Sequence, residues 1–316
     1  MRAAIFIVLG LMSNAVPAAR ATLQVEARIP LPGCKGRIDH LAFDAQGRRL
    51  FVAELGNDSV AVVDLDHRRL VRRLTGFDQP QGVAYSARLR RLYVAEGGSG
   101  WVRSYDNDFK ELQRVRLSGD ADNLRIDRLA ARVYVGYGDG ALAVLDAAKL
   151  EHIGDIRLKA HPESFQFSQD DARIYVNLPG AREIAVVDPA AERQIAGWPA
   201  SWRANYPMAL DDEAVLSVFR EPPRIARFGK GAVMVDSAAC GDADDVFVDA
   251  RRNRVYVVCG EGSVDVLDRN SLKRIGGIRT SSGARTGWYS PEADRLFVAA
   301  RATGGHAAAV WVLKPE

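Results

Sequence analysis

Short segments in which apolar and polar residues alternate recur along this chain, and one of them returns at a nearly constant spacing. Six copies read LFVAE, LYVAE, VYVGY, IYVNL, VYVVC and LFVAA, and a degenerate copy, the fifth along the chain, reads VLSVF. The first copy begins at Leu50, and the following ones begin at successive steps of 42, 41, 41, 41, 40 and 41 residues. A fixed period in this range predicts stacked or radially arranged copies of one supersecondary unit.

Each repeat has the pattern of four strands. In the first repeat, turns rich in polar residues separate four segments: Ile38–Asp44, Leu50–Glu54, Ser59–Leu65 and Leu70–Leu74. Four short antiparallel strands with regularly spaced turn signals are typical of one β-propeller blade. Most of the third strands end in an aspartate, which we expect to cap the following turn with its carboxylate; these residues are Asp64, Asp106, Asp146, Asp188 and Asp268.

The last repeat stops after its third strand, whereas one additional strand pattern, Thr22–Leu31, precedes the first repeat. We infer that Thr22–Leu31 pairs into the last blade and closes the ring, which removes the exposed edge of an open array. The prediction is an all-β fold, a seven-bladed β-propeller with four antiparallel strands per blade, which forms a single domain over residues 22–316.

Residues 1–21 have the pattern of a secretory signal peptide. Arg2 is followed by the apolar run Ala3–Met12 and by the small-residue segment Ser13–Ala21, and cleavage fits after Ala18 or Ala21. The apolar run is about half of the roughly 20 residues that a membrane span needs. We therefore predict an exported monomer without a membrane span, which in a bacterium is periplasmic or secreted.

Composition adds little about function but bears on the cysteines. A formal net charge of +3 over 316 residues does not by itself indicate a polyanionic partner. The three cysteines are Cys34, Cys240 and Cys259, and an oxidising compartment permits one disulfide among them. Cys240 and Cys259 belong to the same predicted blade and the same end of it, so they form a reasonable disulfide pair; otherwise both are small buried apolar residues.

The repeats LFVAELGNDSVAVVDL and VYVGYGDGALAVLD resemble those of the YVTN-repeat family of bacterial exported seven-bladed β-propellers. The resemblance covers essentially the whole chain after the signal peptide, and it implies the fold. It does not imply one activity, since members of the family differ in what they do and a fold hosts many functions.

Candidate chemistry lies where the innermost strand of each blade begins, at one mouth of the channel. Every blade has a polar or ionisable residue there. Because side chains alternate along a strand, we expect only one of each adjacent pair to face the channel. Two alternative sets result: Asp39, Gln81, Asp122, Glu163, Asp244 and Arg285, or His40, Asn123, Asp245 and Thr286.

We predict that a ligand binds at this mouth, and the residues chosen for it are His40, Gln81, Asn123, Glu163, Asp245 and Arg285. A ring of carboxylates suits a hard cation bound through oxygens. It equally suits a small polar or zwitterionic ligand, with Arg285 binding a carboxylate bidentately. A structural alternative is that the Asp and Asn side chains bind neighbouring backbone amides and hold the loops.

In one respect the arrangement is similar to propeller lactonases of the gluconolactonase type, which hold a divalent cation at the channel mouth with Glu, Asn and Asp side chains. That resemblance implies a calcium-type site at Asn123, Glu163 and Asp245, and with it a metal-dependent hydrolase or lactonase.

Nine arginines fall on or beside turns of the first two blades, where they are expected to form one basic rim on the face opposite the mouth: Arg48, Arg49, Arg68, Arg69, Arg72, Arg73, Arg88, Arg90 and Arg91. Such a rim attracts nucleic acid or an anionic surface, and some propellers of the YVTN type bind DNA. Solvated turns are the alternative, since base-stacking aromatic residues are not interleaved with these arginines.

The sequence lacks HExxH, CxxC, GxSxG and phosphate-loop motifs. We therefore predict a binding or scaffold protein that engages a small ligand or an extracytoplasmic protein at the polar mouth. A metal-dependent hydrolase and a nucleic-acid binder are the alternatives.

Overall fold

The computed structural model of this chain describes residues 22–129 and 131–316. Within these residues, twenty-eight strands form seven four-stranded antiparallel sheets, which are the seven blades of a β-propeller. The signal peptide predicted over residues 1–21 lies outside the described residues. In the described part of the chain, no helix has the length and apolar character to cross a membrane.

The first four blades follow the chain in order from the channel outwards. Their strands are β2–β5 (Leu41–Asp44, Arg49–Glu54, Ser59–Asp64, Arg69–Thr75), β6–β9 (Pro80–Ser86, Arg91–Glu96, Trp101–Tyr105, Glu111–Arg116), β10–β13 (Leu124–Ile126, Arg132–Tyr137, Ala141–Asp146, His152–Arg157) and β14–β17 (Phe165–Phe167, Ile174–Leu178, Glu183–Asp188, Arg193–Pro199). Single turns of 3₁₀ helix follow β3 and β15, at Leu55–Asn57 and Pro179–Ala181.

Blades five and six are built in the same way, and blade seven closes the ring. Their strands are β18–β21 (Arg203–Asp211, Ala214–Glu221, Pro223–Gly229, Ala232–Ala238), β22–β25 (Ala243–Asp249, Arg254–Cys259, Ser263–Asp268, Arg274–Arg279) and β26–β28 (Thr286–Ser290, Arg295–Ala300, Ala309–Pro315). The N-terminal strand β1 (Leu23–Pro30) pairs antiparallel with β28, from Leu23 opposite Pro315 to Pro30 opposite Ala309. The predicted closure by the N-terminal strand is confirmed.

The hydrophobic core lies between neighbouring blades, because each sheet has an apolar face on both sides. The recurring segment found in the sequence is the second strand of every blade, and its side chains are almost fully buried. Its aromatic residues contact the inner strand of the next blade. The ring centroids of Phe51 and Tyr85 are 5.4 Å apart, and those of Tyr256 and Tyr289 are also 5.4 Å apart. These contacts hold the inner strands, and the residues at their starts, in fixed positions around the channel.

The aspartates that end the third strands accept backbone hydrogen bonds from the turns that follow them. Asp64 Oδ1 accepts from the N–H groups of Asp66 and His67 at 3.0 and 2.9 Å. Equivalent bonds occur at Asp106, Asp146, Asp188 and Asp268. The prediction that these residues serve turn geometry is confirmed.

The outermost strand of each blade carries a β-bulge, at which one additional residue interrupts the pairing. In the first six blades the bulged residue is apolar and exposed, and in blade seven it is Glu26 in β1. A bulge disturbs the row of unpaired backbone groups on an edge strand and so opposes edge-to-edge association. The six apolar residues are Val71, Leu112, Ile153, Ile195, Met234 and Ile275.

Cys240, in the loop before β22, and Cys259, at the end of β23, form a disulfide with their Cα atoms 5.9 Å apart. The predicted pairing is confirmed. Cys34 is buried and free, and burial, reinforced by the adjacent Glu54 carboxylate, raises the pKa of its thiol to about 12.

Candidate ligand-binding site

The inner strands begin at the mouth with an irregularity that the alternating pattern does not reveal. In three blades, the N–H of one residue and the C=O of the next both bond to a single residue of the second strand, at N···O distances of 2.8–3.0 Å: Asp39 and His40 with Ala53, Asp122 and Asn123 with Gly136, and Glu163 and Ser164 with Asn177. In blade six, Asp244 is the additional residue between the paired positions Ala243 and Asp245. Two residues opposite one is the pattern of a β-bulge, which re-aims side chains.

These bulges overturn the expectation that only one residue of each adjacent pair faces the channel. Asp244 contacts arginines at the mouth, whereas Asp245 lines a cavity further down the channel. Asp39 likewise lies at the mouth beside an arginine, and His40 lines the cavity. In blades one and six the two alternatives are therefore two layers of one site, because the bulge lets consecutive side chains turn inward.

The upper layer, at the mouth, is a network of matched charges. Arg37 Nη2 lies 2.9 Å from Asp39 Oδ2. Arg220 of blade five donates a hydrogen bond to Asp244 of blade six. Arg285 of blade seven donates to Asp242 Oδ1 at 2.9 Å, and its Nε lies 3.4 Å from Asp244 Oδ2. We call these residues, together with Asp122, His161 and Glu163, the mouth cluster.

Arg37 lies within reach of carboxylates from four blades. Burial lowers its pKa, but Asp39 and then Asp244, Asp122 and Glu163 outweigh burial, so that the pKa of Arg37 is raised. A partly exposed guanidinium of the protein itself, paired with Asp39, thus offsets part of the charge of the carboxylates that the sequence predicted at the mouth.

Burial sets the protonation of the acidic members of the mouth cluster. It raises the pKa of Asp39 to about 7, against the opposing effect of Arg37, and that of Asp244 to about 6. Burial and the neighbouring Asp122 raise the pKa of Glu163 to about 8. For His161, burial lowers the pKa, but Asp122 and the Gly138 carbonyl outweigh it and raise the pKa to about 9. At neutral pH the cluster therefore holds protons as well as charges.

The lower layer surrounds a cavity of about 480 Å³, which we call the channel cavity. It extends from the starts of the inner strands towards their far ends. Its polar wall consists of His40, Arg125, Gln166 and Asp245, and its apolar wall includes Phe167, Met208, Phe247, Trp288 and Tyr289. A cavity that combines an apolar wall with a few converging polar groups is typical of small-ligand sites.

Arg125 in β10 lines the channel cavity, and its pairing differs from that of the arginines in the mouth cluster. Both hydrogen bonds that it donates within the described residues come from Nη1, to the Asn123 side chain and to the Leu124 carbonyl, the latter at 2.9 Å. Among the same residues, no carboxylate oxygen lies within the 4.0 Å of an ion pair. Burial lowers its pKa, although Asp245 and Asp122 act in the opposite direction. The Nη2 and Nε groups are left for another partner.

The other polar residues in or next to the channel cavity are partly engaged. Asn123 Nδ2 lies 3.2 Å from His40 Nε2, which joins blades one and three across the channel. Asp245 Oδ2 accepts the Gly287 N–H at 2.7 Å, and burial raises the pKa of Asp245 to about 7. Gln166 Nε2 donates to the Met208 carbonyl at 3.2 Å.

Two residues selected from the sequence play a different part from the one expected. Arg285, expected to bind a ligand carboxylate bidentately, is engaged by Asp242 and Asp244. Gln81 lies towards the outside of the mouth, where its Nε2 donates to Asp120 Oδ1 at 3.3 Å. Thr286 is buried and its hydroxyl has no hydrogen-bond partner in the described part of the chain.

The calcium-type site at Asn123, Glu163 and Asp245 stays a prediction. Within the described residues, no three His, Cys, Asp or Glu side chains are grouped so as to hold a metal ion. The Asn123 side-chain oxygen accepts from Arg125, and one Asp245 oxygen accepts from Gly287. An arginine and a backbone amide therefore engage two of the oxygens that such a cation site would use.

The nine arginines of blades one and two do not all lie on the opposite face, and several of them are paired with carboxylates. Arg73 bonds to Glu54 and to the Pro32 carbonyl at the mouth end of blade one, because β5 runs from the opposite face back to the mouth. Arg49 is half-buried and bonds to Asp44, and Arg48 and Arg68 pair with Asp66 and Glu26. The expectation that all nine arginines lie on the opposite face is therefore wrong for Arg73, and a nucleic-acid or anionic partner for the others stays a prediction.

Sequence reasoning missed Arg37, Arg125, His161 and Arg220. Arg125 had a signal, since it lies two residues after Asn123 and thus on the same side of an extended strand. His161 stands two residues before Glu163 in the segment that begins the blade. Arg220 had none, because it follows the degenerate repeat VLSVF and meets Asp244 only through the packing of blade five on blade six.

Comparison with known proteins supports the architecture. No family model matches this chain, and a search of curated proteins finds no match. Among solved structures, the chain is similar to one described as Kuenenia stuttgartiensis hydrazine synthase, with a TM-score of 0.71 and 16% identity over 84% of this chain and 94% of that chain. At such low identity the likeness shows the fold alone, which is compatible with a binding or scaffold role.

Proposed function

We propose that this chain is an exported β-propeller that binds a small organic acid in the channel cavity, with Arg125 as the anchor of the acid group. The observation that carries the proposal is the unmatched guanidinium of Arg125 in the cavity wall. A charge removed from water is costly unless it is paired. A ligand carboxylate supplies that pair, and a guanidinium fork binds it bidentately.

The other residues of the cavity wall indicate the chemical character of the rest of the ligand. Phe167, Met208, Phe247 and Trp288 offer apolar and aromatic surface, which suits an apolar or aromatic body. The volume of about 480 Å³ lies within the ordinary range of small-molecule sites. With its pKa raised to about 7 by burial, Asp245 is in part protonated at neutral pH and can donate a hydrogen bond to the ligand from the oxygen that Gly287 does not bind.

Export and membership of the YVTN-repeat family are part of the same proposal. The signal-peptide pattern of residues 1–21 supports export, and so does the Cys240–Cys259 disulfide, since disulfides persist in oxidising compartments. The period of about 41 residues, one blade per repeat, supports the family. The closed ring with its bulged outer strands favours a monomer.

The test is calorimetric titration of the full chain with acetate, benzoate, 4-hydroxybenzoate and indole-3-acetate, each compared with its neutral amide. We expect at least one acid to bind about tenfold or more tightly than its amide, because only the acid pairs with Arg125. Arg125→Met should abolish this preference and Arg125→Lys should weaken it, since an ammonium keeps the charge without the fork.

Arg157→Met is the matched control, because Arg157 is exposed on β13, the outer strand of the same blade. Its binding should equal that of the wild type. Equal affinity for every acid and its amide, or a preference that persists in Arg125→Met, would contradict the proposal.

A further inference from the structure

The wall of the channel cavity contains two opposite charges that are not paired with each other. Arg125 lies in β10 of blade three and Asp245 in β22 of blade six, and both line the cavity. Burial lowers the pKa of Arg125 and raises that of Asp245, and the charge of each opposes this effect on the other. Within residues 22–129 and 131–316, however, no ion pair of 4.0 Å or less joins them. A charge withdrawn from water normally has a close partner.

Both side chains have polar atoms that a molecule in the cavity can reach. Asp245 Oδ2 accepts the Gly287 N–H at 2.7 Å, whereas Oδ1 makes no hydrogen bond within the described residues. Arg125 Nε and Nη2 also make none in this part of the chain. None of these three atoms is closed to solvent, in contrast to Asp244 Oδ2 and Arg285 Nε at the mouth. They are therefore accessible to a ligand.

The surface next to Asp245 is aromatic. Phe247 lies two residues further along β22 and lines the same cavity, and Trp288 follows Gly287 in β26. Aromatic rings attract a cation to their faces. The Asp245 side of the cavity thus suits a positive group with an apolar body, and the Arg125 side suits a negative group.

The ionisation of Asp245 is compatible with a positive partner. Burial raises the pKa of this carboxyl to about 7, against the opposing effects of His40, the Gly287 N–H and Arg125. A ligand ammonium beside Oδ1 acts in the same direction as His40 and Arg125, since an adjacent positive charge favours the carboxylate. Asp245 then accepts a hydrogen bond from the ligand.

We propose that the ligand of the channel cavity is an amino acid with an apolar or aromatic side chain, bound as a zwitterion between Arg125 and Asp245. The inference rests on the proposed function, in which Arg125 binds the carboxylate. The ammonium donates to Asp245 Oδ1, and the side chain packs on the apolar wall. A zwitterion pairs with both charges of the wall, whereas a simple acid leaves Asp245 without a charged partner.

The experiment is calorimetric titration of the full chain, at constant ionic strength, with compounds that differ in one group. Both enantiomers of phenylalanine and tryptophan are compared with 3-phenylpropionate and indole-3-propionate, which lack the amine. They are also compared with 2-phenylethylamine and tryptamine, which lack the carboxylate. We expect at least one amino acid to bind about tenfold or more tightly than both of its analogues, because only the amino acid pairs with both side chains.

Asp245→Asn should remove the preference for the amino acid over its acid analogue, since the amide keeps an acceptor for the Gly287 N–H but carries no charge. Arg125→Met should instead remove the preference over the amine analogue. Asp139→Asn is the matched control, because Asp139 is exposed in the turn between β11 and β12, outside the cavity on the mouth face. Both preferences should persist in this variant.

Two results would overturn the inference. One is that no amino acid binds more tightly than its acid analogue; if that analogue binds to the wild type more tightly than to Arg125→Met, the proposed function stands alone. The other is a preference for the amino acid that persists in Asp245→Asn, which would place the ammonium elsewhere. The proposed function fails separately, when neither the acid analogues nor the amino acids bind less tightly to Arg125→Met than to the wild type.

Discussion

The mouth cluster and the channel cavity beneath it contain the same kinds of side chain, but they differ in whether the arginines are paired with carboxylates. At the mouth, Arg37, Arg220 and Arg285 each face at least one carboxylate within ion-pair distance. In the cavity, Arg125 faces none among the described residues. The arginine charges of the mouth are thus paired within the protein, although Asp39 Oδ2, Asp244 Oδ2 and Arg285 Nε make no hydrogen bond in the described part of the chain, whereas Arg125 is the residue for which we propose a ligand as partner.

The mouth cluster also joins blades. Arg220 of blade five and Arg285 of blade seven both contact Asp242 and Asp244 of blade six. Such bonds cross the interfaces between blades where the channel opens. The cavity residues lie on the same inner strands, yet two of them, Arg125 and Asp245, form no direct ion pair within residues 22–129 and 131–316. Stability and binding should accordingly respond differently to changes in the two layers.

The largest effect is expected from removing the carboxylate that two mouth arginines share. Asp244→Leu leaves Arg220 and Arg285 with a buried charge that Asp242 compensates only in part, and should lower the free energy of unfolding by about 3 kcal/mol. Asp66→Leu is the control, since the Asp66–Arg48 pair is largely exposed and should contribute less than about 1 kcal/mol. Urea denaturation measures both. Equal effects would mean that the mouth cluster does not hold the blades together.

The second prediction compares one arginine from each layer. Arg220→Met should lower the free energy of unfolding by about 2 kcal/mol, because Asp244 loses its hydrogen-bonded partner. Without ligand, Arg125→Met should change it by less than about 1 kcal/mol, since the lost bond to Asn123 is offset by removal of an unpaired charge. Thermal unfolding of the two variants in the same buffer measures both losses of stability. Similar losses of stability in the two variants would contradict the proposed difference between the mouth cluster and the channel cavity.

The architecture was predictable from the sequence because a propeller repeats one pattern. The apolar segment that begins at Leu50 occurs seven times, and in a closed array each copy belongs to one blade. The strand left over at Thr22–Leu31 had only one place to pair. The start of each inner strand was predictable for the same reason, and it led to Asp39, Glu163 and Asp244.

The division into two layers was not predictable, for a geometric reason. Whether Asp244 and Asp245 both turn inward depends on a bulge in the pairing of β22 with β23, and no alternation of apolar and polar residues records it. Arg220 shows a second limit. Its partner lies in the next blade, so its role depends on how blades five and six pack. The repeat pattern does not indicate which residues contact a partner in the neighbouring blade.

The third prediction concerns pH. In the folded chain the pKa of Glu163 is raised by burial to about 8, from 4.5, and that of His161 is raised to about 9, from 6.5, chiefly by Asp122 against the effect of burial. The folded state thus holds these protons more firmly than the unfolded state, and the stability that they contribute is lost as the pH rises. For Glu163 the loss falls between about pH 4.5 and 8, and for His161 between about 6.5 and 9.

Unfolding measured from pH 5 to pH 8 should therefore show a smaller decline in Glu163→Gln than in the wild type. Glu151→Gln, at an exposed position, should leave the decline unchanged. An identical decline in all three proteins would mean that Glu163 is not held protonated at the mouth.

The smallest effect is expected from divalent cations. It tests whether the charges of the mouth cluster are paired within the protein. Because Arg37 pairs with Asp39, and because Glu163 and, in part, Asp245 hold protons at neutral pH, millimolar Ca²⁺ or EDTA should leave the melting temperature unchanged. A ligand that binds only the folded state raises that temperature by mass action. A rise with Ca²⁺ that EDTA reverses and Glu163→Ala abolishes would show that a cation displaces Arg37. The mouth would then be the site, and the metal-dependent hydrolase would replace the acid-binding propeller as the better account of this chain.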